Sequence, residues 1–292
     1  MPSVGAYGQQ RMTLGTVIVG ASIGGARTAQ ALRSAGYEGE ITLVGDERAL
    51  PYDRPPLSKG LLAGTATPES LTLLSEQEAA DLGVRLMLGR AARHLDVAGA
   101  FVELVDGERL ASSGLPVGGG LRCDERCRAV GAPRVHAVGD VARWRHAGYG
   151  ALVRAEHWTN AVEQARYVAA DIVGPGGDGP YQPVGYVWSD QYEAKIQVIG
   201  RTGVGLDPVT VERTGAWSFA VLYAGAAGAL AGAVTVSWPK AAIAVRRALK
   251  AGTLLAEVYA AIGGLPAPGT GTSSRETMAT EVESLGASRT PS

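Results

Sequence analysis

The strongest constraint on the fold is residues 16–59, where a strand, a glycine-rich turn, a helix and a second strand follow one another. An apolar strand is predicted over residues 16–20 and runs into the turn. Small and apolar residues then recur at three-residue steps, which predicts a helix over residues 24–35. A second apolar strand, residues 41–44, ends just before Asp46. This order is typical of a dinucleotide-binding βαβ unit in an α/β fold.

The residues of the turn have separate expected roles. Gly20 permits a tight turn, and Gly25 lets the helix pack close to the strand. Ser22 stands where the common G-x-G-x-x-G pattern has its middle glycine. The N–H groups at the helix start, around Gly24, are suited to a pyrophosphate, and Asp46 to ribose hydroxyls. A tight strand-to-helix turn in another kind of α/β protein remains the alternative.

Four further stretches are informative: VGDERALPYDRPPLSKGLLAG (44–64), VHAVGDVARW (135–144), RAEHWTNAVEQA (154–165) and WSDQY (188–192). They resemble segments of the flavin reductases that supply electrons, through ferredoxins, to haem monooxygenases and ring-hydroxylating dioxygenases. Their order matches that family, the ferredoxin reductases, and the resemblance covers residues 16–261. It implies an α/β fold: a Rossmann-like FAD-binding domain in two segments with a β-meander, then a small C-terminal α+β domain. The implied cofactor is FAD.

The resemblance also implies contacts for single residues. The backbone at Ala92 would touch the flavin nucleotide, and Asp140 would accept hydrogen bonds from the ribityl chain. Trp158 would lie near the isoalloxazine ring, and Lys59 would approach the flavin. Alternatives stay open: Asp140 as a helix cap or turn residue, Trp158 as a core residue, and Lys59 as a solvated charge. No catalytic side chain is assigned, because the flavin carries the chemistry.

The chain departs from this family after Leu110. Family members continue there with a strand ending in Ala-Thr-Gly and then a complete NADH-binding domain. Here the sequence from residue 111 resembles the segment that normally follows that domain. A domain of about 100–150 residues is therefore predicted to be deleted near residues 110–111. The two flanking segments could still close one sheet, because the family inserts the NADH domain between two parts of the flavin domain. The glycines at 118–120 are expected to form a turn.

The predicted organisation has four parts: a flexible N-terminus (1–15), the FAD-binding domain (16–173), the C-terminal domain (181–262) and a disordered tail (263–292). The C-terminal domain is expected to begin with strands. Two helices are then expected, over residues 239–251 and 254–262. Residues 219–236 are uncharged and long enough to suggest a membrane helix. Their central glycines favour a β-hairpin instead, with the membrane helix as the alternative.

The composition limits which binding partners and which cellular compartment are expected. A net charge of −1 with 46% hydrophobic residues indicates a soluble globular protein and does not favour nucleic acid or an anionic membrane. Cys123 and Cys127 have no nearby cluster of ligands, so free thiols are expected rather than a metal site. Residues 1–15 do not resemble a signal peptide. The expected location is cytoplasmic.

The sequence therefore predicts an FAD-dependent oxidoreductase of the ferredoxin reductase type that lacks an efficient NADH site of its own. Its expected partner is an iron–sulfur ferredoxin or a separate reductase, and high-rate NADH oxidation is expected to be absent. A non-catalytic flavin-binding protein and an inactive deletion remnant are the alternatives. The sequence leaves the electron donor, the acceptor and the oligomeric state open.

Overall fold

The computed structural model describes residues 15–111, 120–174, 179–203, 205–213 and 217–263. The chain divides into two compact units, Met1–Val187 and Trp188–Ser292. Several predictions lie outside the described residues. They concern the N-terminus up to residue 14, the junction and glycine turn over 112–119, part of the linker (175–178) and the tail from 264.

The first unit begins with the predicted βαβ arrangement. It contains β1 (Thr16–Val19), α1 (Ile23–Ser34), β2 (Ile41–Val44), α2 (Glu76–Asp81) and β3 (Val84–Met87). The strands form a parallel sheet in the order β1-β2-β3. Helix α1 buries Ala26, Ala29 and Leu32 in an apolar cluster with residues of β2. The small side chains of Ala26 and Ala29 let the helix lie close to the sheet.

The predicted β-meander is confirmed. It consists of β4 (Ala92–Asp96), β5 (Phe101–Leu104) and β6 (Arg109–Ala111), paired antiparallel. The turn between β5 and β6 contains Gly107 at φ +86°, a conformation that glycine adopts without strain. Apolar side chains of the meander share a buried cluster with Val17 of β1 and Val44 of β2. The meander therefore covers one face of the parallel sheet.

The rest of this unit forms a second sheet and a long helix. The strands are β7 (Leu121–Cys123), β8 (Arg128–Ala129), β9 (Ala132–His136), β10 (Ala142–His146) and β11 (Ala151–Val153), in the order β11-β10-β7-β8-β9. Helix α3 (Trp158–Val173) packs against α1. The predicted helix differs from it by a single residue at its start.

Within the residues that the structure describes, the two segments do not close one sheet. There, β1 is an edge strand of the first sheet and β9 is an edge strand of the second. Two edge strands join one sheet only when they pair directly or share an intervening strand. No described strand lies between β1 and β9, so the two sheets remain separate.

The second unit has one sheet and two helices. Its strands are β12 (Tyr186–Gln191), β13 (Ala194–Gly200), β14 (Asp207–Glu212), β15 (Phe219–Ala224) and β16 (Leu230–Val236), in the order β12-β13-β16-β15-β14. Helices α4 (Pro239–Ala251) and α5 (Leu255–Ala261) follow. Strands β15 and β16 pair antiparallel, which confirms the predicted hairpin. Among the described residues, no helix is both long and apolar enough to cross a membrane.

Candidate functional site

A cavity of about 910 Å³ opens where β1 ends and α1 begins. Its size falls within the range of about 300–1,000 Å³ that is usual for small-molecule sites. Six of the nine predicted site residues line it: Gly20, Ser22, Gly24, Gly25, Asp140 and Trp158. The fold thus gathers residues from the first glycine turn, from the segment after β9 and from the start of α3.

The turn after β1 has the geometry that its glycines predict. Gly20 lies at φ +107°, and its N–H donates to the carbonyl oxygen of Val44 at 2.8 Å. A Cβ on Gly25 would lie 2.0 Å from the carbonyl oxygen of Gly20. That distance is far below any allowed contact, so the close approach of α1 to β1 depends on glycine at position 25.

The N-terminus of α1 is suited to an anion. Ser22 is the N-cap, but its side chain makes no capping hydrogen bond, and the first turn has no acidic residue. The first intrahelical bond runs from the N–H of Ala26 to the carbonyl of Ser22 at 2.9 Å. The N–H groups of residues 23–25 precede that bond and therefore have no acceptor within the helix. Because residues 23–25 line the cavity, a pyrophosphate fits this end of it.

Asp140 lies in a turn that α3 holds in place. The turn, Gly139–Val141, is a single 3₁₀ turn, and Gly139 has φ +76°. The N–H of Gly139 donates to Oε1 of the fully buried Gln164 at 2.8 Å. Nε of Arg154 donates to the carbonyl oxygen of Asp140 at 2.7 Å. Asp140 is thus a turn residue, as the alternative had it, and it also lines the cavity.

Trp158 lines the cavity rather than the core. It is the first residue of α3, and 36% of its surface is exposed. Its Nε1 donates to Oδ1 of Asp53 at 3.1 Å, and Asp53 also lines the cavity. With this N–H satisfied, the indole ring can offer an apolar surface to a planar ligand.

The three other predicted site residues are not among those that line this cavity. Asp46 is exposed at the end of β2, one residue after Gly45. Lys59 is exposed directly after the 3₁₀ turn Pro55–Ser58. Ala92 is half-buried at the start of β4. Their predicted roles in cofactor binding remain predictions.

An ionic cluster centred on Asp171, whose side chain is 1% exposed, was not predicted from the sequence. Arg126 Nη2 donates to Oδ1 at 2.7 Å, Arg128 Nε donates to Oδ2 at 2.8 Å, and His136 Nε2 lies 3.0 Å from Oδ2. One sequence signal was available, because Asp171 is an acidic residue in the last turn of a helix, where the dipole disfavours it. Such a residue requires a positive partner.

The ionisation of this cluster follows from its contacts. Burial alone would raise the pKa of Asp171, but hydrogen bonds from Arg128, His136 and Arg126 lower it well below its usual range. The pKa of His136 is lowered, chiefly because burial disfavours its charged form. Arg128, His136 and Asp171 all line the cavity. This end of the cavity is therefore charged, whereas the glycine turn at the other end presents backbone N–H groups.

The two cysteines are buried free thiols, as predicted. Burial raises the pKa of Cys123 to about 11. Burial also raises the pKa of Cys127, whose Sγ accepts a hydrogen bond from Gln164 Nε2 at 3.1 Å. A thiol that stays protonated is a poor nucleophile. Neither cysteine is among the residues that line the cavity.

Comparison with known proteins identifies two segments. Residues 15–111 match the family described as pyridine nucleotide-disulphide oxidoreductase, and residues 186–261 match the reductase C-terminal family. A probable ferredoxin reductase of Castellaniella defragrans is 38% identical over 123 residues, which are 42% of this chain and 29% of that protein. The ferredoxin–NAD(+) reductase component of the anthranilate 1,2-dioxygenase system of Burkholderia cepacia is 30% identical over 177 residues, 60% of this chain and 43% of that protein. The chain thus spans less than half the length of these relatives.

Solved structures share the fold. A ferredoxin reductase for the CYP199A2 system from Rhodopseudomonas palustris superimposes with a TM-score of 0.72 at 20% identity, covering 82% of this chain and 95% of that chain. A covalent putidaredoxin reductase–putidaredoxin complex gives a TM-score of 0.71 at 20% identity, covering 82% and 93%. At this identity the likeness shows the fold alone.

Proposed function

We propose that this chain, which is related to the FAD-dependent ferredoxin reductases, is an FAD-binding oxidoreductase without an efficient NADH site of its own. The observation that carries the proposal is the cavity, which joins the N-terminus of α1 to Asp140 and Trp158. An anion-binding helix end, a carboxylate and an exposed indole suit the pyrophosphate, ribityl and ring parts of FAD. When bound, FAD supplies hydride and single-electron chemistry.

Each part of the site has a separate proposed task. The turn residues Gly20, Ser22, Gly24 and Gly25 hold the pyrophosphate, and the partial positive charge of the α1 N-terminus stabilises an anion there by about 0.3–1 kcal/mol. Asp46 binds the adenosine ribose, and Asp140 binds the ribityl hydroxyls. Trp158 covers the isoalloxazine ring. Lys59 approaches the flavin, and the backbone at Ala92 contacts the flavin nucleotide.

The proposed absence of an efficient NADH site is supported by the small number of residues between the two matched family segments. The first match ends at residue 111 and the second begins at residue 186. Strands β7–β11 and helix α3 already occupy most of the interval. A further domain of about 100–150 residues does not fit in what remains. NADH is therefore proposed to reduce this protein slowly, if at all.

The proposed partners follow from the relatives. Several are named as ferredoxin–NAD(+) reductase components of dioxygenase systems. We propose that the partner of this chain is a ferredoxin that accepts electrons or a separate reductase that donates them. The two buried free thiols support a reducing, cytoplasmic location. Neither the site nor the comparisons favour a non-catalytic flavin protein or an inactive remnant.

The visible absorption spectrum of the purified protein, followed by addition of NADH without oxygen, tests the proposal. Flavin bands that dithionite bleaches at once and NADH bleaches only slowly are expected. If flavin bands are absent and added FAD does not bind, the flavin proposal is wrong. Rapid, saturable bleaching at micromolar NADH would instead overturn only the claim about NADH.

A further inference from the structure

Strands β1 and β9 belong to different sheets, yet residues of both line the same cavity. Among the described residues, β1 pairs only with β2, and β9 pairs only with β8. All four residues of β1 line the cavity, as do Pro133, Arg134 and His136 of β9. The cavity thus continues from the glycine turn as a channel, which we define by residues 16–19 on one side and 133–136 on the other.

The backbone of β1 presents hydrogen-bonding groups to this channel. The N–H groups of Thr16 and Gly20 donate to carbonyl oxygens on the β2 side at 2.7 and 2.8 Å. Since backbone groups alternate in direction along a strand, those of Val17 and Val19 point the opposite way. The described part of the chain supplies no strand to receive them. Such an edge is a template for an incoming strand.

The backbone of β9 presents hydrogen-bonding groups to the channel from the opposite side. The N–H of Ala137 donates to the carbonyl of Cys127 at 3.0 Å, on the β8 side. The backbone groups of His136, the preceding residue, therefore face the channel. A Cβ on Gly24, in the first turn of α1, would lie 3.4 Å from the carbonyl oxygen of Val138, two residues after β9. The two strands thus end at the same side of the cavity.

Both faces of the channel are covered. Val17 of β1 and Val135 of β9 share one apolar cluster with three residues of the meander, namely Val102, Leu104 and Leu110. On the helical side the lining residues include Thr28 of α1 and two apolar residues of α3, Val168 and Ile172. A strand covered on both faces is typically apolar throughout. The channel therefore suits an apolar extended segment.

The charge of the channel adds one requirement. Arg128, Arg134 and Asp171 line it, and Asp171 already binds Arg128 and Arg126. The charged groups that line this part therefore carry a net positive charge. A carboxylate on the incoming segment would complement that charge.

We propose that the channel binds an extended segment of a partner protein, about four or five residues long, apolar with one acidic side chain. The segment adds a strand to the edge of β1 by β-augmentation, and its other edge faces β9. This inference does not depend on flavin, because none of the proposed FAD contacts is made by residues 16–19 or 133–136, which define the channel.

Fluorescence anisotropy with a labelled probe peptide, acetyl-EVVIVT-amide, tests this in the full-length protein. Saturable binding is expected, and the lysine version, acetyl-KVVIVT-amide, should bind at least about tenfold more weakly. Val17→Pro removes one of the two N–H groups of β1 that face the channel, and it keeps the bonds to β2, as an edge strand tolerates. It should weaken binding at least about tenfold, whereas Val17→Ala, which keeps the N–H, should stay within about threefold.

A second variant keeps the test independent of folding effects in β1. Arg134→Glu, at an exposed position of β9, should reverse the preference between the two peptides. No saturable binding of either peptide at up to about 1 mM would overturn the proposal. Unchanged peptide binding by a folded Val17→Pro variant would also overturn it. A concentration-dependent dimer that Val17→Pro abolishes would overturn it too, because the edge of β1 would then bind a second copy of this chain. Flavin content is measured separately, by absorbance, and it tests only the proposed binding of FAD.

Discussion

The side-chain oxygen of Gln164 accepts a hydrogen bond from the N–H of Gly139 at 2.8 Å. This bond joins the middle of α3 to the turn that carries Asp140. Gln164 is fully buried, so the bond forms away from water, where an unpaired N–H is costly. A buried residue that is not among those lining the cavity thereby positions the residue whose carboxylate is proposed to bind the ribityl chain.

Replacing Gln164 by Leu should destabilise the protein by about 1–3 kcal/mol, because a buried N–H loses its acceptor. Flavin affinity should fall with it, because the turn at Asp140 is no longer held. Urea denaturation and flavin titration measure the two effects. Glu163→Ala, one position away on the same helix, is the control and should leave both unchanged. Unaltered flavin affinity in Gln164→Leu would show that the turn holds its shape without this bond.

Asp140→Ala should lower the flavin content of the purified protein while leaving its folding intact, because Asp140 is exposed and removal of its carboxylate costs no packing. The ratio of flavin to protein absorbance measures this. Asp140→Asn retains one acceptor oxygen and should retain more flavin than the alanine variant. Full flavin occupancy in Asp140→Ala would count against the ribityl role.

Gly25→Ala and Gly24→Ala form a matched pair within the first turn of α1. A Cβ at position 25 would overlap the carbonyl oxygen of Gly20 at 2.0 Å, whereas one at position 24 would meet Val138 at 3.4 Å. Gly25→Ala should therefore destabilise the protein by about 1–3 kcal/mol. Gly24→Ala should change stability by less than about 1 kcal/mol, since alanine also favours the helix. Equal melting temperatures for the two variants would contradict the close packing of α1 on β1.

The Asp171 cluster should make stability fall in acid. The pKa of Asp171 is lowered in the folded state, so its contribution is complete above its ordinary pKa of about 4 and is lost as the pH falls below that. The pKa of His136 is also lowered. Its neutral form is favoured by folding, so stability should already begin to fall as the pH drops below about 6.5. Urea denaturation between pH 7 and acid measures both steps.

Two variants separate these contributions. Asp171→Asn leaves two partly buried arginines without their buried carboxylate and should cost about 3–5 kcal/mol at neutral pH. It should also flatten the loss of stability below about pH 4. His136→Gln should remove the earlier loss below about pH 6.5 and keep the later one. A pH profile identical to that of the unaltered protein in both variants would exclude the cluster as the cause.

The sequence by itself determined the local elements and their order. Strand β2 and helix α4 have the predicted bounds, because apolar periodicity and flanking glycine or proline residues are local signals. The turn at Gly20 and the close contact at Gly25 were also predictable, since they depend on a pattern of six neighbouring residues.

The tertiary structure alone decided which residues meet. Gln164 and Gly139 lie 25 positions apart, and Asp171 and Arg126 lie 45 apart. No periodicity links such pairs, because their contact depends on how α3 packs against distant strands. The strand order that makes β1 and β9 edge strands among the described residues was equally hidden, since the sequence predicts strands but not their neighbours. Strand pairing is non-local, because it depends on which apolar faces are buried together and on which backbone hydrogen bonds can form in the folded chain.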